Sequence, residues 1–248
     1  MKKCIIILIL VLGICSCESD ANSSVSSDAS GDGQGGSLAT FALKNDYLYA
    51  VDTEGLSVFN IQDKTNPVKV NSVFVGFAIE TLFPFDNYLF IGSQDAMFIY
   101  DISNPEFPKE LSRSGHFRSC DPVVANEKYA YVTLHSNSRC FGELNELHTY
   151  NVEDVENPIL LNVRQLTEPK GLASYNTDYL IVCDDSVKIF DVSNPEESKY
   201  IKQIDTNDAI DIIIRENRAF VITANSIEQY DLNPNDIEQI TTVSTFTF

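Results

Sequence analysis

Histidine is nearly missing from this chain, with three in 248 residues. All three lie between His116 and His148, and none falls in the H-E-x-x-H pattern of a zinc protease. No G-x-S-x-G occurs, which excludes the strained nucleophile elbow of an α/β-hydrolase. No glycine-rich loop is spaced to cradle a phosphate. Positive charge is scarce as well, 17 Lys and Arg against 36 Asp and Glu, a net charge of −19. That balance argues against nucleic acid and against electrostatic docking on anionic lipid. The one unbroken apolar run, Ile5–Leu12, is too short to cross a bilayer, and no sustained helical periodicity follows it. The six cysteines include no C-x-x-C pair.

What is present begins with MKKCIIILILVLGICSC, two lysines, a short apolar stretch and small residues: a signal peptide over residues 1–16. Ile14-Cys15-Ser16-Cys17 resembles a bacterial lipobox, and small Ser16 makes Cys17 the modified residue in preference to Cys15. Several acyl chains at Cys17 would anchor the protein to a membrane. Cleavage would remove Lys2 and Lys3 and no acid, taking the charge from −19 to −21. Residues 17–37 are rich in Ser, Gly and Asp and read as a tether. Glu18 and Asp20 resemble the export signal of Bacteroidota surface lipoproteins, which implies an outer-membrane lipoprotein facing outward, with a periplasmic orientation as the alternative.

From residue 38 onward one phrase recurs. FNIQDKTNP (Phe59), YDISNP (Tyr100), YNVEDVENP (Tyr150), FDVSNP (Phe190) and YDLNP (Tyr230) are spaced by 41, 50, 40 and 40 residues. A second marker keeps step with it: DYLYAV, NYLFIG, KYAYVT, DYLIVC and RAFVIT. Each unit reads as four short strands rich in aromatic and β-branched residues, jointed by Asn, Asp, Gly and Pro. Proline presets φ and withholds a ladder hydrogen bond, so the Asn-Pro phrase ends the third strand. Repeats of this length predict an all-β, five-bladed β-propeller of four-stranded antiparallel blades, with units near 38–77, 78–117, 118–168, 169–207 and 208–248. The markers resemble the LVIVD-repeat family of bacterial propeller proteins, through GLSVFNI, MFIYDIS and VKIFDVSNP. With no strand exchanged between the chain ends, face-to-face packing of blades 1 and 5 is expected to close the ring; an open arc would expose an apolar face.

Unit three is longer than its neighbours, and the excess is TLHSNSRCFGELNE (Thr133–Glu146) between its second and third strands. Such loops share a rim with the connections entering each innermost strand, where Cys120 lies. A Cys120–Cys140 disulfide is therefore predicted, worth about 3 kcal/mol in the chain-entropy model. A metal site of Cys120, Cys140, His116 and His135 is the rival, without the usual ligand spacing. Cys183 reads as a packed free thiol.

The same rim gathers His116, Phe117, Arg118, His135, Arg139 and Phe141, and segment 113–140 carries +2 on a strongly acidic protein. Aromatics with arginines suit a sugar ring or an anionic group. Against this stands the plainer role of pinning a long loop. Glu80, Asp121 and Asp211 begin three inner strands and form a weak candidate for a cation such as Ca²⁺, although capping of backbone amides is the commoner use of such residues. No cofactor and no catalytic residue is expected. The function that follows is a lipid-anchored, non-catalytic binding module for a glycan, peptide or protein. A scaffold component of an outer-membrane assembly is the alternative, and a hydrolase a further one, since 36 acids hide any glycosidase pair.

Overall fold

The computed structural model describes residues 35–116, 119, 122–136 and 144–248. Their regular structure is entirely β-strand. Blade 1 comprises β1 (Phe41–Lys44), β2 (Tyr47–Val51), β3 (Gly55–Asn60) and β4 (Val68–Phe74). Blade 2 follows with β5 (Ile79–Phe85), β6 (Tyr88–Ser93), β7 (Ala96–Asp101) and β8 (Lys109–Gly115). Blade 3 has β9 (Val123–Ala125), β10 (Tyr129–Leu134), β11 (Glu146–Asn151) and β12 (Ile159–Gln165). Blade 4 has β13 (Leu172–Tyr175), β14 (Tyr179–Cys183), β15 (Val187–Asp191) and β16 (Lys199–Ile204). Blade 5 has β17 (Ala209–Arg215), β18 (Arg218–Thr223), β19 (Ser226–Leu232) and β20 (Ile240–Thr247). Every sheet pairs its four strands in chain order, all antiparallel, so no strand is exchanged between blades.

The repeated phrase is the joint between third and fourth strands. Its polar second residue accepts a backbone N–H two positions on: Asn60 from Gln62, Asp101 from Ser103, Asn151 from Glu153 and Asp191 from Ser193. These side-chain turns free the chain from the ladder where proline then forbids its resumption. Hydrogen bonds from Ser103 and Ser193 hold the Asp101 and Asp191 carboxyls below the usual carboxylate range. In unit five, Arg218 stands where the other four units have a tyrosine, and it pairs with Asp231 at 2.9 Å. Asn45, Asp86 and Glu216 turn the first hairpins of blades 1, 2 and 5 with φ of 53°, 49° and 55°.

Packing lies between blades. Four apolar clusters join blades 1 to 2, 2 to 3, 3 to 4 and 4 to 5. Strand β6 is buried at five of six positions and β14 at four of five, because both sides of those sheets are covered. Blades 1 and 5 differ: burial alternates along β18, and Tyr49 is the one buried residue of β2, as in sheets with one covered face. No cluster bridges blade 5 to blade 1 among the described residues. The expected face-to-face closure therefore fails, and the ring keeps an open seam.

Among the described residues that seam is tied beside the start of β17. Ser37 Oγ donates to Asp211 Oδ1 at 3.0 Å and accepts from Leu172 N at 2.8 Å, while Leu38 N donates to Asp211 Oδ2 at 3.4 Å. Ser37 is buried, so the folded unit starts earlier than the tether composition suggested.

Candidate functional site

The start of each inner strand and the turn between second and third strands meet on one rim. Here Asp211 accepts from Ser37, Leu38 and Ile212 N at 2.9 Å. Burial pushes its carboxyl up, against the lowering effect of those hydrogen bonds. A Cβ at Gly36 or at Gly171 would collide with the Asp211 carboxylate. Unit four thus has glycine at this place to admit its neighbour's acid, which accounts for that unit's missing carboxylate. Glu80 accepts from Gln94 Nε2 at 3.1 Å, and Asp121 lies outside the described residues. Of the three weak cation candidates, Asp211 caps the N-terminal segment and Glu80 is bonded to Gln94. Among the described residues no group of three or more His, Cys, Asp or Glu is placed to hold a metal.

On the third-unit side, Ser119 N donates to Gln94 O at 2.9 Å and Ser119 Oγ to His135 O at 3.5 Å. The entrance to blade 3 and the root of the insertion are thereby adjacent. His116 and His135 both border this rim, each partly exposed. Phe117, Arg118, Arg139 and Phe141 lie outside the described residues, as do Cys17, Cys120 and Cys140. Cys183 is free and fully buried on β14, and burial pushes its thiol far up.

One arrangement here escaped the sequence reading. Strand alternation sets Glu146, His148 and Tyr150 on one face of β11, toward blade 2. His148 Nε2 lies 2.8 Å from Glu146 Oε2, His148 Nδ1 3.3 Å from the Tyr150 hydroxyl, and Gln165 Nε2 donates to Glu146 Oε1 at 2.6 Å. Burial is the main influence on His148 and lowers its pKa, aided by nearby His116 and opposed by the Glu146 hydrogen bond. Burial raises Glu146, but hydrogen bonds from His148 and Gln165 bring it below its usual value. A neutral imidazole donating from Nε2 to a carboxylate satisfies both directions. The signal was present as a period of two, E-x-H-x-Y, yet nothing in it said which face was inward.

A groove lies elsewhere, on the outer flank between blades 3 and 4, with a volume of about 610 Å³. Arg164 stacks over Phe190 at 4.9 Å inside it and donates to Ser198 O at 2.9 Å. Its other cation, Lys188, is held by Asp184 at 2.7 Å and Asp185 at 2.8 Å. Arg164 thus links blade 3 to blade 4, whereas the charge of Lys188 is neutralised within blade 4.

Comparison with known proteins agrees with this architecture. A family model described as the LVIVD repeat matches residues 35–75 and 85–114, within the first two blades. No curated protein matches the chain. Among solved structures, a protein from Lactobacillus plantarum superposes with a TM-score of 0.66 at 13% identity, covering 81% of this chain and 67% of that one. The periplasmic gluconolactonase PpgL of Pseudomonas aeruginosa gives 0.63 at 13% identity, with coverage of 82% and 67%. Hsv2p of Kluyveromyces lactis gives 0.53 at 9% identity, with 82% and 60%. At such identities the likeness concerns fold alone, and this chain spans about two thirds or less of each neighbour. The matched repeat supports the LVIVD-repeat family, and five four-stranded blades in chain order make this protein a β-propeller.

Proposed function

We propose that the protein is a lipid-anchored extracytoplasmic binding module that presents its third-unit rim to a glycan, peptide or protein ligand, without catalysing a reaction. The observation carrying this reading is the Ser119–His135 contact. It draws the one long interruption of the repeat against the entrance segment, on a scaffold whose other joints are short turns. Extended loops fixed to rigid sheets are where binding residues concentrate. Phe117, Arg118, Arg139 and Phe141 would supply stacking and charge beside His116 and His135, and a Cys120–Cys140 bond would pin the loop. Anchorage at Cys17, through the outer membrane and facing outward, remains part of the proposal, resting on the lipobox and the acidic residues behind it.

The test is a glycan and peptide array probed with the chain from residue 35 onward and with its Arg139→Ala, Phe141→Ala variant. Loss of a hit in the variant, at unchanged thermal stability, supports the rim. Equal binding by both proteins refutes it. A stoichiometric protein captured by crosslinking, with no array hit, would favour the scaffold alternative. Globomycin-sensitive processing and acyl labelling, abolished by Cys17→Ser, check the anchor.

A further inference from the structure

We infer that the open seam is an interface for a second copy of this chain, blade 5 of one copy packing on blade 1 of the other. The uncovered side of blade 5 carries Ile213, Phe220, Ile222, Ile227 and Phe246, adjacent through the register of β17 to β20. The uncovered side of blade 1 carries Phe41, Leu43, Leu48, Phe59 and Phe74. Phe41 is 60% exposed, Phe74 63% and Phe246 59%.

The repeat says what these faces fit. Phe220 and Ile227 stand where blade 2 has Phe90 and Met97, which are sealed against blade 3. Phe41, Leu48 and Phe59 stand where blade 2 has Leu82, Leu89 and Tyr100, which are sealed against blade 1. The chain therefore forms one type of interface four times and then presents both of its halves unused. Each half is complementary to the other, and the pairing between copies is head to tail.

Once the expected signal peptide is cleaved, the chain's own leading segment does not suit the task. Residues 18–34 contain Val25 as their sole apolar side chain larger than alanine, too little to cover two sheet faces. Blade 5 also lacks the usual defence of an exposed edge. The outer strands β4, β8, β12 and β16 carry Lys69, Lys109, Arg164 and Lys199, whereas β20 has no charge in eight residues. On a chain with 36 acids, an uncharged strand lowers the like-charge repulsion opposing self-association there, and the Arg218–Asp231 pair on the same side is internally neutral.

Sedimentation of residues 18–248, which carry neither the apolar run Ile5–Leu12 nor Cys17, should show a dimer or larger species across the micromolar range. A blade 5 variant (Phe220→Asp, Ile227→Asp) and a blade 1 variant (Leu48→Asp) should each be monomeric with an unchanged circular dichroism spectrum. Mixed together, they should form 1:1 pairs, because each keeps the half that the other has lost. Should either variant fail to fold, Ile227→Cys in one copy and Leu48→Cys in another should give a disulfide-linked heterodimer on mixing. A wild-type chain monomeric at every concentration overturns the inference. So does persistent self-association of the blade 1 variant alone, which would indicate a symmetric β20 contact.

Discussion

Leu89 in blade 2 and Leu48 in blade 1 hold the same repeat position, yet Leu89 is sealed between two sheets and Leu48 is only half-buried. The comparison extends along the strands. Ile91 and Phe98 of blade 2 correspond to Ala50 and Ser57 of blade 1, and Ile99 corresponds to Gln229 of blade 5. Faces that meet a neighbour inside the molecule have kept large apolar side chains, while the two seam faces mix such residues with small or polar ones. A blade is thus not stable by virtue of its own sequence alone. Its stability depends on what lies against it, as expected of units too small to bury both faces unaided.

Breaking this comparison should give the largest effect. Leu89→Ala should cost about 2–5 kcal/mol in denaturant unfolding, the range for large-to-small changes in a packed core. Leu48→Ala in dilute monomer should cost under about 1 kcal/mol, since water reaches the side chain already. Equal losses would mean that the seam is packed after all. The tie at the start of β17 offers a second break. Gly171→Ala must push the new methyl into the Asp211 carboxylate, at a cost of about 1–3 kcal/mol and with easier proteolysis near Ser37. An unchanged midpoint would show that the tie contributes nothing.

Acidity sharpens the contrast between the blade 2–3 interface and the seam. The folded pKa of His148 lies below its ordinary 6.5, so the folded state keeps the imidazole neutral while the unfolded chain protonates. Stability from this group is present above about pH 6.5 and falls as pH drops from there toward the folded pKa, by at most about 1.4 kcal/mol per pH unit. Unfolding midpoints followed from pH 7 down to about 5 should decline more steeply in the wild type than in His148→Gln. Parallel profiles would exclude the imidazole. The smallest effect is at the turn of blade 5. Glu216→Gly should stabilise by about 0.5–1 kcal/mol, because a side chain at φ of 55° is strained where glycine is not. A loss of stability would place Glu216 in a contact that outweighs its strain.

Much of this architecture was legible in the chain because it repeats. Five phrases at a near-constant spacing fixed the number of blades, and the Asn-Pro step marked the joint before β4, β8 and β12. The position of the insertion, between β10 and β11, was equally readable. The role of Asp211 was not. Its carboxylate is used up by Ser37, a residue 174 positions away, and by the space that Gly171 leaves. Sequence spacing carries no information about such a meeting. The Glu146–His148–Tyr150 row was hidden for a related reason: alternation defines two faces of a strand without saying which one is covered.

Local chemistry settled what each unit becomes: aromatic and β-branched stretches separated by side-chain turns and proline can form only short antiparallel strands, and five such sets make five sheets. Whether those sheets complete a circle was decided in three dimensions. Closure depends on the angle accumulated over four interfaces and on the fit of the first face to the last, and both are sums over the whole molecule that no single repeat contains.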